Sequence, residues 1–240
     1  MKTAQIFIVG DEILSGRTTD TNSPFLAKVL AVRGVRVMGI GVIPDNEIII
    51  AQWIREKHGL SDFLFVCGGI GGTPDDVTRS AVARACDVSL IRHPEAEERL
   101  LKYYGEKKNE ERMSMADLPD GCTLIDNPVS QAPGFKIKNI YVFAGIPKVL
   151  HAMWANVEKS IQGTPLFEKE INLKVGEGEI ARHMKQLNRE FPLLELGSYP
   201  TFETHLGYKT QLVFKSTNEE IVRLAFDRFK ELCGDLDAFA

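Results

Sequence analysis

Three short apolar runs, "QIFIVG" at residues 5–10, "VRVMGIGVI" at 35–43 and "DFLFVCGG" at 62–69, are each followed by a segment whose apolar residues recur with helical spacing. Strand-length runs alternating with helices confine a chain to strand–helix–strand units, whose parallel strands need helices on both faces. The first helix is expected over residues 21–34, where Phe25, Leu26, Val29 and Leu30 share a face. Asn22 or Ser23 would cap it, Pro24 suits its first turn and Gly34 is a stop. The second helix is expected over 46–59 and the third over 74–87. A further buried strand, "NIYVFAGIP" at 139–147, leads into the helix "KVLHAMWANVEKSI". Between them, residues 94–109 read as a polar helix and 115–135 as a long irregular excursion, the kind of loop that compact domains keep for function.

After Gly163, Thr164 and Pro165 the order changes to strand, helix, strand, strand, helix. The expected organisation is a three-layer α/β/α domain with a mostly parallel sheet over residues 1–165, followed by a small α+β domain over 166–240. A hydrophobic content of 44% supplies the cores. The net charge of −4 creates no field that would gather nucleic acid or an anionic membrane. The tail holds more acidic than basic residues and has no G-x-x-G loop, which argues against an RNA-binding module. No apolar segment approaches the roughly 18 residues of a membrane span. Four widely separated cysteines with no C-x-x-C pair indicate reduced, mostly buried thiols, so a soluble, cytoplasmic protein is expected. Trp53 and Trp154 lie on apolar helical faces and are expected in the core. The five histidines are scattered without metal-ligand spacing.

In an open parallel sheet, ligands bind beyond the carboxyl ends of the strands. Those ends carry Gly10, Asp11 and Glu12 after the first strand, Asp45 after the second, the stretch from Gly68 to Asp76 after the third, and Gly145 and Pro147 after the fourth. Gly68, Gly69, Gly71 and Gly72, leading into a helix N-terminus, suit a phosphate, because backbone N–H groups can converge on one anion. The loop is neither a Walker A motif, since no Gly-Lys-Ser/Thr follows, nor a G-x-G-x-x-G fingerprint. Thr73 either caps the third helix, with Pro74, Asp75 and Asp76 in its first turn, or joins Asp75 and Thr78 in the phosphate site. Asp45 and Asp76 are the candidate catalytic and metal-binding pair, because carboxylates beside phosphate recruit a hard divalent cation such as Mg²⁺, Mn²⁺ or Co²⁺. Asp11, Glu12, Ser15, Gly16 and the Asn22 amide form either a plain strand-to-helix turn or a set of ligand contacts.

Five motifs then occur together: "GDEILSGRTTDTN", "VIPDNE", "GGIGGTPDDVT", "LPDGCTLIDNPVSQAPGF" and "AGIPKVLHAMW". In order and spacing, over about residues 4–160, they resemble the molybdopterin-binding-like domain of CinA-type proteins in the MogA/MoaB superfamily. The resemblance implies a three-layer α/β/α fold, with the glycine loop holding phosphate and Asp45 and Asp76 at the acidic positions of the pocket. It implies metal-dependent hydrolysis of a nucleotide pyrophosphate such as ADP-ribose or FAD in the CinA branch, and molybdopterin binding or adenylylation in the MogA branch. A small-molecule nucleotide or pterin phosphate is the implied partner, and a homo-oligomer, dimer or trimer, the implied assembly. Gly72, Asp20, Ser130 and Ala144 depart from the residues frequent in CinA-type chains, which bears on substrate identity. A C-terminal deamidase domain is not expected within the 240 residues.

Overall fold

The computed structural model describes residues 1–234. The chain divides into two compact units, Met1–Gly163 and Thr164–Ala240. In the first, β1 (Lys2–Val9), a short α1 (Asp11–Leu14), α2 (Asn22–Val32), β2 (Val35–Ile43), α3 (Glu47–Lys57), β3 (Phe63–Cys67) and α4 (Thr78–Cys86) follow one another. Then come β4 (Leu90–Arg92), α5 (Pro94–Tyr104), α6 (Glu110–Met113), β5 (Asp117–Pro119), β6 (Thr123–Ile125), β7 (Gly134–Ile137), β8 (Ile140–Phe143) and α7 (Pro147–Val157). The main sheet has the order β2-β1-β3-β8-β7-β6. The pairs β1/β2, β1/β3 and β3/β8 are parallel, and β8/β7 and β7/β6 antiparallel.

Residue patterning explains the layering. Ile6, Phe7, Ile8 and Val9 of β1 are all buried, as a strand covered on both faces requires. Phe7 meets Trp53 of α3 edge-on, with ring centroids 5.5 Å apart. Phe65 pairs in register with Ile6, which puts it on the opposite face, where it meets Trp154 of α7 at 6.0 Å. Helices α3 and α4 therefore cover one face. On the other, α2 and α7 are joined by the stacked rings of Phe25 and His151, 3.8 Å apart. The step from β1 to β2 runs one way along the sheet and the step from β2 to β3 the other. The topological switch thus falls between β1 and β3, where such folds open a crevice.

Several expectations change. Helix α2 starts as anticipated, but its cap is Asp20: Oδ1 accepts the N–H groups of Asn22 (2.9 Å) and Ser23 (3.1 Å). The third helix begins at Thr78 rather than Pro74. Residues 115–135 are not uniformly irregular, since β5 pairs with β4, and β6 with β7. Trp154 is buried, whereas Trp53 is 37% exposed at the rim of α3.

The second unit consists of β9 (Phe167–Leu173), α8 (Glu177–Glu190), β10 (Glu195–Pro200), β11 (Thr210–Ser216) and α9 (Glu219–Leu232), with an antiparallel sheet of order β10-β11-β9. Leu173, Ile180, Leu187, Leu212, Phe214 and Phe229 form a core of its own. No helix among the described residues is long and apolar enough to cross a membrane.

Candidate functional site

The carboxyl ends of β1, β3 and β8 surround a cavity of about 620 Å³, within the range of small-molecule sites. Close backbone approach builds its floor. Gly68 has φ +109°, and a Cβ there would run into the Val9 carbonyl oxygen at the end of β1. Gly68 N–H bonds the Phe143 carbonyl (3.0 Å), tying β3 to β8 just below the opening. Only glycine serves at such a junction. Gly145 packs over the Gly68 Cα, and the Asn22 side-chain amide donates to the Gly145 carbonyl at 2.6 Å, fixing the start of α2 to the same corner.

The loop from Gly68 to Val77 turns on Asp76. Its Oδ2 accepts the Thr73 N–H (2.9 Å) and hydroxyl (2.6 Å), while its own N–H returns to the Thr73 carbonyl (3.0 Å). This closed turn keeps Pro74, Asp75 and Asp76 out of the helix. Thr78 N–H then bonds the Gly69 carbonyl (2.9 Å), so α4 starts directly beneath the glycines. Across the cavity, Asp45 Oδ2 accepts the Asp11 N–H at 2.8 Å, coupling the end of β2 to that of β1. Burial raises the Asp45 carboxyl above the ordinary carboxylate range; the Asp11 N–H pulls it down, and the charges of Asp11, Glu12 and Asp75 raise it further.

Of the residues singled out in the sequence, Glu12, Asp45, Gly68, Gly69, Gly71, Asp75, Asp76, Gly145 and Pro147 line the cavity. Others stand behind it. Gly10 lies under the Glu12 carboxylate. Asp11 contributes its backbone N–H, and Thr73 orients Asp76. Gly72 packs on the Glu111 carbonyl of α6 so closely that no Cβ fits. Ser15 and Gly16 only close the turn after α1, with the Ser15 hydroxyl on the Glu12 carbonyl at 3.3 Å. Asn22 and Thr78 are buried, and Asn22 Oδ1 and Thr78 Oγ1 have no hydrogen-bond partner among the described residues.

The chain is similar to known proteins over both units. Residues 5–163 match the family described as "Probable molybdopterin binding domain", and residues 165–236 match "FAD synthase, middle domain". A protein of Archaeoglobus fulgidus is 34% identical over 231 residues, covering 96% of this chain and 97% of its own length. A CinA-like protein of Sulfurihydrogenibium sp. is 35% identical over 207 residues, and the match spans 78% of this chain and 51% of that protein. The crystal structure of CinA from Thermoplasma acidophilum, described as of unknown function, superposes with a TM-score of 0.64 at 33% identity, covering 68% of this chain and 100% of that one. The chain belongs to the molybdopterin-binding-domain family and is CinA-type.

In this CinA-type chain the cavity also takes in residues that sequence reasoning did not assign to the site. Thr18, Ile70, Met115, Asn127, Ala132, Ile146 and Val149 line it, as do two of the positions where the chain departs from frequent family residues, Ser130 and Ala144. Asn127 organises its loop: Nδ2 donates to Ser130 Oγ (2.7 Å) and the Ala132 carbonyl (2.8 Å), and Oδ1 accepts the Val129 (3.0 Å) and Ser130 (3.2 Å) N–H groups. The signal for Asn127 was its place in "DNPVSQAPG", a run of turn formers that must be fixed by some side chain. Four carboxylates, Glu12, Asp45, Asp75 and Asp76, line the cavity, and among the described residues its lining holds no Lys, Arg or His. No group of three or more His, Cys, Asp or Glu side chains among the described residues is arranged to hold a metal ion by itself.

Proposed function

We propose that this cavity is the active site of a divalent-metal-dependent hydrolase of a nucleotide pyrophosphate of the ADP-ribose or FAD kind. The observation that carries the proposal is the four-carboxylate lining beside a glycine loop, with no basic side chain to neutralise a phosphate. Such a cavity repels an anion unless a cation enters with it. Hard oxygen donors suit Mg²⁺, Mn²⁺ or Co²⁺. Asp45 and Asp76 would hold the ion, with its remaining positions left to phosphate oxygens and water, the usual arrangement where a protein supplies only one or two carboxylates. When bound, the ion would polarise a phosphate oxygen and acidify a coordinated water.

In this proposal the chain's own groups position the diphosphate and the water. Backbone N–H groups of the loop from Gly69 to Gly72 hold the diphosphate, those of Gly68, Thr73, Asp76 and Thr78 being engaged within the fold. Asp45, whose Oδ2 is fixed on the Asp11 N–H, keeps Oδ1 for the ion and so positions the water that the ion would acidify. Met115, Ile146 and Val149 supply the apolar end for a ring. The unpartnered Asn22 Oδ1 and Thr78 Oγ1 sit behind the loop as further hydrogen-bonding capacity. Water adds to one phosphorus, the bridging P–O bond breaks, and two monophosphates leave. The match of residues 165–236 to a FAD synthase domain supports an adenine dinucleotide as substrate.

A second reading, binding or adenylylation of molybdopterin, is favoured by the description of the matched family. Titration with molybdopterin decides between them: micromolar binding without pyrophosphate turnover would favour the second. The proposal includes assembly into a dimer or trimer, and a monomeric mass by light scattering would remove that part.

A further inference from the structure

Arg79, the second residue of α4, is 7% exposed. Its one side-chain hydrogen bond among the described residues runs from Nη1 to the Ile70 carbonyl of the glycine loop, and it is long at 3.4 Å. A guanidinium offers five donors, burial disfavours its charge, and a helix N-terminus disfavours cations. Three unfavourable features at one position call for an electrostatic reason. The acidic groups acting on Arg79 are Asp76 and Asp117. Asp117 is already engaged by Arg92, Nε to Oδ1 at 2.6 Å and Nη2 to Oδ2 at 3.4 Å. Asp76 takes its side-chain bonds from Thr73, a neutral partner. The negative charge left for Arg79 to answer is that of Asp76 and the cavity it lines.

We infer that Arg79 is the buried counter-charge of the acidic cavity, a positioning residue that weakens the carboxylates' hold on cations and admits a phosphate anion to the glycine loop. This rests on the metal-and-phosphate reading above. Without Arg79 the cavity is four negative charges with no compensation from beneath. With it, the field at the loop is moderated without placing a cation in the lining, where it would compete with the metal. A unit charge acting across several ångströms into an open, water-filled cavity, at an effective dielectric of about 50, between the values for a protein surface and for bulk water, changes a binding constant by about threefold to tenfold.

The test is calorimetric titration of Mn²⁺ alone, then of inorganic pyrophosphate with Mn²⁺ saturating, into the wild type, Arg79→Met and Arg79→Lys, with thermal melts as the folding control. Arg79→Met is expected to fold, because methionine keeps the buried apolar stem of the side chain and relieves the burial that opposes the guanidinium charge, while the carboxylates it leaves behind line an open cavity. It should bind Mn²⁺ about threefold to tenfold more tightly and pyrophosphate more weakly by a similar factor, while Arg79→Lys stays within about twofold of the wild type in both. A residue that merely staples the loop gives a different pattern: both ligands weaken together in Arg79→Met, or Arg79→Lys behaves like Arg79→Met. Either pattern, or unchanged binding in Arg79→Met, overturns the inference. A wild type that binds no Mn²⁺ removes the metal reading and this inference with it, whereas Mn²⁺ binding indifferent to Arg79→Met removes only the inference.

Discussion

Asp45 keeps its Oδ2 on the Asp11 N–H while burial and three neighbouring acids oppose its ionisation, so the fold gives up stability to hold a charge at the cavity wall. Because the folded pKa is raised, the stabilising contribution is complete below the ordinary carboxylate value and is lost as pH rises through the folded value. In EDTA at pH 7, Asp45→Asn is therefore predicted to melt about 2 °C above the wild type, a difference that shrinks as the pH falls toward 4. Thermal scans across that range check it, and a lower melting point for Asp45→Asn at neutral pH would count against it. Gly68→Ala forces a Cβ onto the Val9 carbonyl at a φ of +109°; a loss of about 2–3 kcal/mol is expected in urea unfolding, against no change if the β1–β3 junction could relax. At this scale the sequence showed the acids and glycines that end strands, because those residue types are conspicuous there. It did not show Thr18, Met115 or Asn127 as cavity residues, since they reach it only through chain reversals whose spacing leaves no periodic trace.

The elements depend on a few side chains that close turns. Asp20 caps α2 from just outside the helix, accepting two N–H groups and the Ser23 hydroxyl. Asp20→Ala should lower stability by about 1 kcal/mol and Asp20→Asn by much less, measured by urea unfolding; equal effects would mean the cap is not what Asp20 contributes. Asp76 acts likewise on the glycine loop. By bonding Thr73 backward it delays α4 to Thr78, which is why helical propensity and the Pro-Asp-Asp start signal placed the helix four residues early. The strands β1, β3 and β8 were legible as apolar runs buried on both faces, and β2 as an apolar run at the sheet edge, where Met38 and Ile40 are exposed. The three-residue strands β4, β5 and β6 were not, because so few residues carry no period and the pairing of β4 with β5 is a tertiary event. Gly72 became explicable only once α6 was seen to lie against it.

Across the molecule, the two units have separate hydrophobic cores. Phe214, packed between Phe226 at 5.4 Å and Phe229 at 5.6 Å, anchors the second. Phe214→Ala should destabilise that unit by about 3–5 kcal/mol while leaving Mn²⁺ binding at the cavity within twofold of the wild type. Calorimetric melting and titration of the same sample separate the two effects, and loss of Mn²⁺ binding would show the cavity to depend on the second unit. The order of elements changes after residue 163, from alternating strands and helices to strand, helix, strand, strand, helix, and the division into compact units falls between Gly163 and Thr164. The assignment of the first unit's cavity is tested most directly by incubating the 240-residue protein with ADP-ribose and, separately, FAD, in EDTA or with Mg²⁺, Mn²⁺ or Co²⁺, and resolving the nucleotides by chromatography. AMP with ribose 5-phosphate, or AMP with FMN, is predicted to form only with metal and to fall by about a hundredfold in Asp45→Asn and Asp76→Asn. Intact dinucleotide with every metal, or turnover that persists in EDTA or in Asp76→Asn, would contradict it.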